Sequence, residues 1–322
     1  MKARRNRSTA TSWSRNCWPA CLLTPDRLQA RPVALSFDSD FLKKLEYLHV
    51  VSKKAFAGQA RADRLAPKRG RGLEFADTRG YSPGDDFRHI DWKAYKRLGR
   101  LLLRLFDEEQ DLPIYLFIDA SSSMEATEKF DQARRLAAAL CYIGLAHLDR
   151  VTIMPFDETV REERSAGQGK GRIFRVFEQL EQMQTGGKTN LAESFKLFAA
   201  RGRRQGLAVI ISDFLDPGGY ESALKVLQAR GHDVYVVQMA SEADRDPGAL
   251  GDVKFVDTET EVVRDVEVTP ALAAAYTKAW EEHTEELARF CGRYNIGYVR
   301  ADVERSVEEI VLQTFRQGRF VA

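Results

Sequence analysis

Pro113-Ile-Tyr-Leu-Phe-Ile118 runs without a charge into Asp119-Ala-Ser121-Ser-Ser123. A short apolar run closed by an acid fits a strand buried on both faces, because a strand with one wet face would alternate apolar and polar side chains. Downstream, residues 125–149 place Phe130, Ala133, Ala137, Leu140, Cys141, Gly144 and Leu148 on one helical face. Val151 to Phe156 repeats the strand pattern, and Thr159 to Glu163 reads as a short edge strand. A helix is predicted from Ile173 to Met183. It leads into Gly186-Gly-Lys-Thr189-Asn190, where Asn190 can cap a helix over Leu191 to Ala200. Leu207 to Ile211 is another buried strand, ending in Ser212-Asp213. Helix 220–230 and strand Asp233 to Met239 repeat the unit. Beyond them come a β-like stretch (Val253 to Val268), a helix (Pro270 to Tyr294), a strand (Ile296 to Val299) and a closing helix (Val307 to Gln317). Such alternation predicts an α/β fold over residues 112–320: a doubly wound, mostly parallel sheet with helices on both faces.

Upstream the pattern changes. From Phe37 to Phe75, Phe41, Leu45, Leu48 and Val51 recur at helix-face spacing. A basic loop (Lys68 to Gly72) follows, then a segment dense in charge, glycine and aromatics. Leu101 to Phe106 alternates as a half-buried strand does. Residues 37–111 are therefore read as a helical lead and a smaller, β-containing subdomain. Residues 1–25 stand apart, with Lys2, Arg4, Arg5, Arg7 and Arg15 and no acid before Asp26. Trp18 to Leu23 is too short for a secretory signal and is interrupted by Pro19. Cys17 and Cys21 lack a second Cys or His pair at zinc spacing. Residues 1–36 are read as a disordered or mis-called N-terminal tail, and no function is placed there.

Composition narrows the function. The chain has 322 residues, a formal net charge of +2, 44% hydrophobic and 30% charged residues. That is enough apolar material for a sizeable core, and it excludes a disordered chain, a collagen-like fibre and a disulfide-stapled miniature. Near-neutrality argues against a dedicated nucleic-acid binder. No apolar stretch approaches the roughly 18–20 residues of a spanning helix, so a soluble protein with no membrane span is expected. Four cysteines in a chain this long fit a reducing, cytoplasmic compartment.

In a doubly wound sheet, ligands bind outside the carboxyl ends of the strands, where strand order reverses. The polar residues that end the apolar strands are therefore the candidates. They are Asp119, Ser121 and Ser123 after the first strand, Thr189 on the loop entering a helix, and Asp213 after the fourth strand. Two carboxylates and three hydroxyls are all hard oxygen donors, the kind magnesium takes at about 2.0–2.1 Å in near-octahedral geometry. Manganese accepts the same set. Taken alone, Asp-x-Ser-x-Ser reads first as turn and helix-cap chemistry, and it is the three pieces in order, each at a strand or helix end, that point to a site.

The set Asp119-x-Ser121-x-Ser123, Thr189 and Asp213 resembles the metal-ion-dependent adhesion site of von Willebrand factor A domains. The preceding segment, with Gly72-x-Glu-Phe75, Arg79-x-Tyr81, Pro83-Gly-Asp85 and Arg88-x-Ile-Asp-Trp92, resembles the DUF58 family, whose members carry such a domain behind it. Together the two signals run from about residue 37 to 317, and the absence of an apolar lead resembles the family's shorter, soluble form. The resemblance implies a binding site rather than a catalytic one. Ser121 and Ser123 would hold Mg²⁺ or Mn²⁺ directly, and Asp119 and Asp213 would hold its waters. Thr189 would bind directly or through water, and a partner's Asp or Glu would take the free position. It also implies a MoxR-type AAA+ ATPase as partner.

The rival is a magnesium-dependent phosphatase of the haloacid dehalogenase type, with Asp119 as nucleophile. Its general acid is an Asp two residues later, where this chain has Ser121. A P-loop is weaker still, because the first glycine is missing at the required spacing and the segment does not follow a strand. His49, His89, His147, His232 and His283 are isolated from one another in sequence, and Cys141 reads as core. Arg79, Tyr81, Asp85, Arg88, Asp91 and Trp92 are a candidate interdomain or partner surface. Asp85, Asp86, Arg88 and Asp91 are read first as an internal salt-bridge lattice that holds the subdomain against the sheet domain.

Overall fold

The computed structural model describes residues 21–23, 37, 39–63, 69–70, 74–82, 85–107, 113–125, 127–161, 163–246, 251–257 and 263–316. Two compact units emerge, one formed by Phe56–Asp111 and the other by the chain up to Ala55 together with Leu112–Val321.

In the larger unit, β1 (Cys21–Leu23) precedes α1 (Ser39–Asp63), whose first two-thirds belong here. The sequence assigned the whole of 37–111 to the lead subdomain. The boundary instead falls inside α1, because Leu45 and Leu48 are buried and Phe37 stacks on Phe177 at 4.3 Å. The smaller unit contains β2 (Arg69–Gly70), β3 (Glu74–Gly80), a 3₁₀ turn (Phe87–His89), α2 (Trp92–Leu98) and β4 (Leu102–Asp107). Its strands form an antiparallel sheet in the order β2-β4-β3. Helical spacing read as far as Phe75 therefore overran: α1 ends at Asp63, and Phe75 lies in β3.

From residue 113 the expected alternation is present. It comprises β5 (Pro113–Asp119), α3 (Ser122–Glu125), α4 (Lys129–Ala146), β6 (Arg150–Phe156), β7 (Arg164–Gly167), α5 (Ile173–Glu181) and α6 (Leu191–Ala200). There follow β8 (Leu207–Ser212), α7 (Glu221–Ala229), β9 (Asp233–Ala240) and α8 (Glu242–Arg245). The chain continues with β10 (Gly251–Asp257), β11 (Val263–Val268), α9 (Pro270–Arg293), β12 (Gly297–Asp302) and α10 (Val307–Arg316). Three particulars differ from the reading of the sequence. The edge strand is Arg164–Gly167, with Val160 making only an isolated bridge to Phe156. The β-like stretch 253–268 is the hairpin β10–β11, outside the main sheet. Cys21–Leu23, within the segment read as a tail, pairs antiparallel with β10.

The main sheet has six strands in the order β12-β9-β8-β5-β6-β7, all parallel except β7. From β5 the chain steps outward through β6 to β7, then returns to the other side of β5 and steps away through β8, β9 and β12. Strand order thus reverses between β5 and β8, which is where doubly wound sheets open their ligand crevice. All seven residues of β5 and all six of β8 are buried, consistent with helices on both faces. On one face Phe117, Phe156, Phe195 and Phe198 build an aromatic core shared with α6, α7 and α9. On the other, α4 packs against β5 and β6, with α10 against α4 and β12. Among the described residues, no helix is long and apolar enough to cross a membrane.

Candidate metal and partner site

Asp119 ends β5, and Ser212-Asp213 ends β8, so the two acids flank the crevice. They do so for a local reason. The Ser212 hydroxyl donates to Asp119 Oδ2 at 2.6 Å, and the Ser121 N–H donates to Asp119 Oδ1 at 3.0 Å. The Phe214 N–H donates back to the Ser212 hydroxyl, which fixes its rotamer. Asp119, Ser121 and Ser212 are completely buried, and Ser123, Thr189 and Asp213 nearly so.

The loop carrying Thr189 is tied to this strand end. The Gly186 N–H donates to the Ala120 carbonyl (2.8 Å), and the Ser122 N–H to the Gly187 carbonyl (3.1 Å). Gly187 has φ 80°, the left-handed region that favours glycine, and this turn aims its carbonyl at Ser122. Asn190 caps α6 as expected, its side chain accepting from the Glu193 N–H. The Leu191 N–H donates to Asp216 Oδ2, joining the start of α6 to the loop after β8.

These side chains can be tested against a divalent ion. The hydroxyls of Ser121 and Ser123 lie 3.0 Å apart and share one hydrogen bond. Adjacent oxygens of an octahedron with bonds of about 2.0–2.1 Å are about 2.8–3.0 Å apart, so this pair has the spacing of neighbouring magnesium ligands. Asp119 keeps lone pairs beyond the two bonds it accepts, enough to hold a water. The donor set therefore fits a hard, oxygen-loving cation. Among the described residues there is no group of three or more His, Cys, Asp or Glu side chains that could hold a metal ion, so a cation here would rest on the hydroxyls and on single carboxylates.

Asp213 departs from the expectation. Its Oδ2 accepts from the Lys129 ammonium at 2.8 Å, and its Oδ1 accepts from the Leu215 N–H. Lys129 is itself buried and also donates to Asp244 at 3.1 Å. Asp244 sits in a capping box with Ser241 at the start of α8. Burial pushes the Lys129 ammonium toward deprotonation, but the charges of Asp213 and Asp244 outweigh it and hold the proton more tightly than usual. Reading the sequence missed Lys129, Ser212 and Asp244. Ser212 could have been found, as the hydroxyl beside the expected acid. Lys129 and Asp244 gave no local signal, since they meet across 115 positions.

Among the described residues, no such cation pairs with Asp119. Burial first, and the nearby Asp213 charge second, raise its carboxyl to about 7, against the hydrogen bonds from Ser121 and Ser212. An acid raised on folding binds its proton more tightly in the folded state. Its contribution to stability is therefore lost as pH rises from about 4 to about 7. Without divalent ions, Asp119→Asn should flatten that part of the pH–stability curve, measured by urea denaturation at several pH values. An unchanged slope between pH 4 and pH 7 would contradict this account of Asp119.

The smaller unit holds the other expected residues. Arg79 grips Asp85 through two bonds of 2.8 and 2.6 Å, and the guanidinium keeps the Asp85 carboxyl below the usual range. The Tyr81 N–H donates to the Leu101 carbonyl, beside β4. Asp86 caps the 3₁₀ turn and Asp91 caps α2. Arg88 has no ion-pair partner among the described residues, and Trp92 is 61% exposed. Of the residues read as a lattice, Asp85 thus pairs with Arg79, and Asp86 and Asp91 serve as caps. Gly72, Pro83 and Gly84 lie outside the described residues.

Comparison with known proteins places these features. An uncharacterized protein of Mycobacterium tuberculosis (strain H37Rv) and one of Mycobacterium bovis are each 29% identical over 259 residues, covering 78% of this chain and 81% of theirs. An uncharacterized protein of Mycobacterium avium is 30% identical over 126 residues, covering 39% of this chain and 74% of its own. Among solved structures, the conserved hypothetical protein BatB from Bacteroides thetaiotaomicron is similar at 15% identity and a TM-score of 0.38. That match covers 64% of this chain and 98% of BatB. An aerotolerance-related membrane protein from Bacteroides fragilis is similar at 17% identity and a TM-score of 0.39, covering 64% and 99%. The family model described as "Protein of unknown function DUF58" matches residues 77–286, well over half of the sequence, and the chain belongs to that family.

Proposed function

We propose that the crevice between β5 and β8 is a divalent-ion-dependent docking site for an acidic residue of a protein partner, in the manner of a von Willebrand factor A domain, and that the protein is an adaptor rather than an enzyme. The observation that carries this reading is the pair of buried hydroxyls, Ser121 and Ser123, at octahedral-edge spacing beside a buried carboxylate that has no counter-ion among the described residues. Ser121 and Ser123 would hold Mg²⁺ or Mn²⁺, Asp119 would hold its waters, and Thr189 would add a hydroxyl from the facing loop. Asp213 would act from behind, its charge already shared with Lys129. The bound ion would supply an electrophilic position for an incoming carboxylate. The family resemblance makes a MoxR-type AAA+ ATPase the first partner to try.

Phosphatase chemistry at Asp119 has less support. Both of its oxygens accept hydrogen bonds, the side chain is wholly buried, and a hydroxyl stands where the general acid belongs.

Thermal unfolding across a Mg²⁺ titration tests the proposal. An ion that binds only the folded state stabilises it by about 2.7 kcal/mol at a hundred times its dissociation constant. The midpoint of the unaltered protein should rise, and that of Asp119→Ala and of Ser121→Ala/Ser123→Ala should not. A flat response in all three sinks the metal site. Turnover of generic phosphoesters that disappears in Asp119→Ala would favour the hydrolase instead.

A further inference from the structure

The smaller unit carries a second surface, independent of the crevice. Between β3 and β4 the chain leaves the sheet as α2 and returns, its base closed by Asp91 N–H to the Leu102 carbonyl (2.8 Å) and Tyr81 N–H to the Leu101 carbonyl (3.0 Å). No residue of α2 is buried. On a helix turning about 100° per residue, Trp92, Tyr95 and Leu98 fall along one side and Lys93, Lys96 and Arg97 along the other. The Trp92 and Tyr95 rings meet edge to face, 6.2 Å between centroids, in agreement with that placement. Trp92 is 61% exposed and Leu98 55%, with Phe87 (67%) in the preceding turn.

The charges around this face are one-sided. Its acids are already engaged: Asp85 by Arg79, Asp86 and Asp91 as caps. Arg88, Lys93, Lys96, Arg97 and Arg100 make no ion pair among the described residues. An exposed apolar stripe with unpaired cations selects an anionic counterpart that also accepts apolar side chains. The aromatic stripe suits either counterpart, and the density of unpaired cations beside it favours a lipid surface, because charged residues are depleted at the core of protein interfaces. Trp and Tyr, apolar rings with a polar tip, suit the headgroup level of a bilayer, where basic amphipathic helices with Trp, Phe and Leu lie. Lysine, present twice on this short helix, is depleted in protein–protein interfaces.

We propose that the exposed face of α2, with Phe87 ahead of it and Lys93, Lys96, Arg97 and Arg100 around it, docks the protein peripherally on an anionic lipid surface. Phe87, Trp92, Tyr95 and Leu98 enter the headgroup boundary while the cations meet the phosphates. The experiment is co-sedimentation of the full chain with vesicles of phosphatidylcholine alone or with about one-third phosphatidylglycerol, in the presence of a chelator so that the crevice plays no part. Binding to the anionic vesicles should be at least about tenfold stronger than to the neutral ones. Residues 1–25 carry cations of their own, so the deciding comparison is with variants of α2. Lys93→Glu/Lys96→Glu should lose the anionic preference, and Trp92→Ala should weaken binding. All of these positions on α2 are exposed, so an unchanged unfolding midpoint confirms that the variants are folded. Equal binding to both vesicle types, or anionic binding undiminished in the double variant, overturns the proposal. So does Trp92-dependent binding of a synthetic Leu/Glu helical peptide by a chain that ignores the vesicles, since the face would then dock a protein.

Discussion

Replacing Lys129 by methionine is expected to destabilise the folded chain by about 3–5 kcal/mol. Methionine keeps the length and most of the volume of the side chain, so packing is nearly conserved and the loss is electrostatic. Without the ammonium, Asp213 and Asp244 face each other as buried acids, with the Asp119 carboxyl near enough that the Asp213 charge already acts on it. Removing one partner of a buried pair costs far more than removing the whole set, because the surviving charge stays desolvated. Lys129→Met/Asp213→Asn/Asp244→Asn should therefore recover a large part of the loss. Urea denaturation reads both: the midpoint should fall in the single variant with an unchanged slope, then rise again in the triple variant. A single variant within about 1 kcal/mol of the unaltered protein would mean that Lys129 is a solvated surface charge.

Truncating Phe195 to alanine is expected to cost about 3–5 kcal/mol as well, by a different mechanism. Phe195 is wholly buried, with its ring 5.0 Å from that of Phe117 on β5 and 5.6 Å from that of Phe156 on β6. The neighbouring strands are hydrogen-bonded on both sides and cannot close over the hole. Phe195→Leu should retain more than half of the stability. The functional consequence is local: α6 begins two residues after Thr189, and Phe195 clamps that helix to the sheet. Phe195→Ala should accordingly show a smaller Mg²⁺-induced rise in midpoint than the unaltered protein, at matched distance from unfolding. A full-sized rise would show that Thr189 does not depend on this clamp.

The parts legible in the sequence are those whose signal is local. Seven apolar or capping residues in a row specify β5 on their own, and the α6 boundaries fall where Asn190 and the apolar spacing put them. The crevice followed from a topological rule applied to strand ends. The edge strand was displaced by several residues because Thr159–Glu163 has the right alternation, while the ladder to β6 forms at Arg164–Gly167. Pairing energy, absent from a single segment, decided between them. Lys129 was invisible for a similar reason. Its sequence neighbours suggest a solvated helix start, and the two acids that bury it lie 84 and 115 positions away.

The hydrogen bond from Ser212 to Asp119 spans 93 positions and joins the two oppositely wound halves of the sheet at their seam. An ion or partner bound in the crevice as proposed would grip both halves at once, and so act as a rivet across that seam. A riveted sheet opens less often, and a protease can cut only what opens. If the crevice docks a partner as proposed, the lifetime of this protein in a cell should lengthen with the supply of that partner, so that unpartnered copies are the ones removed.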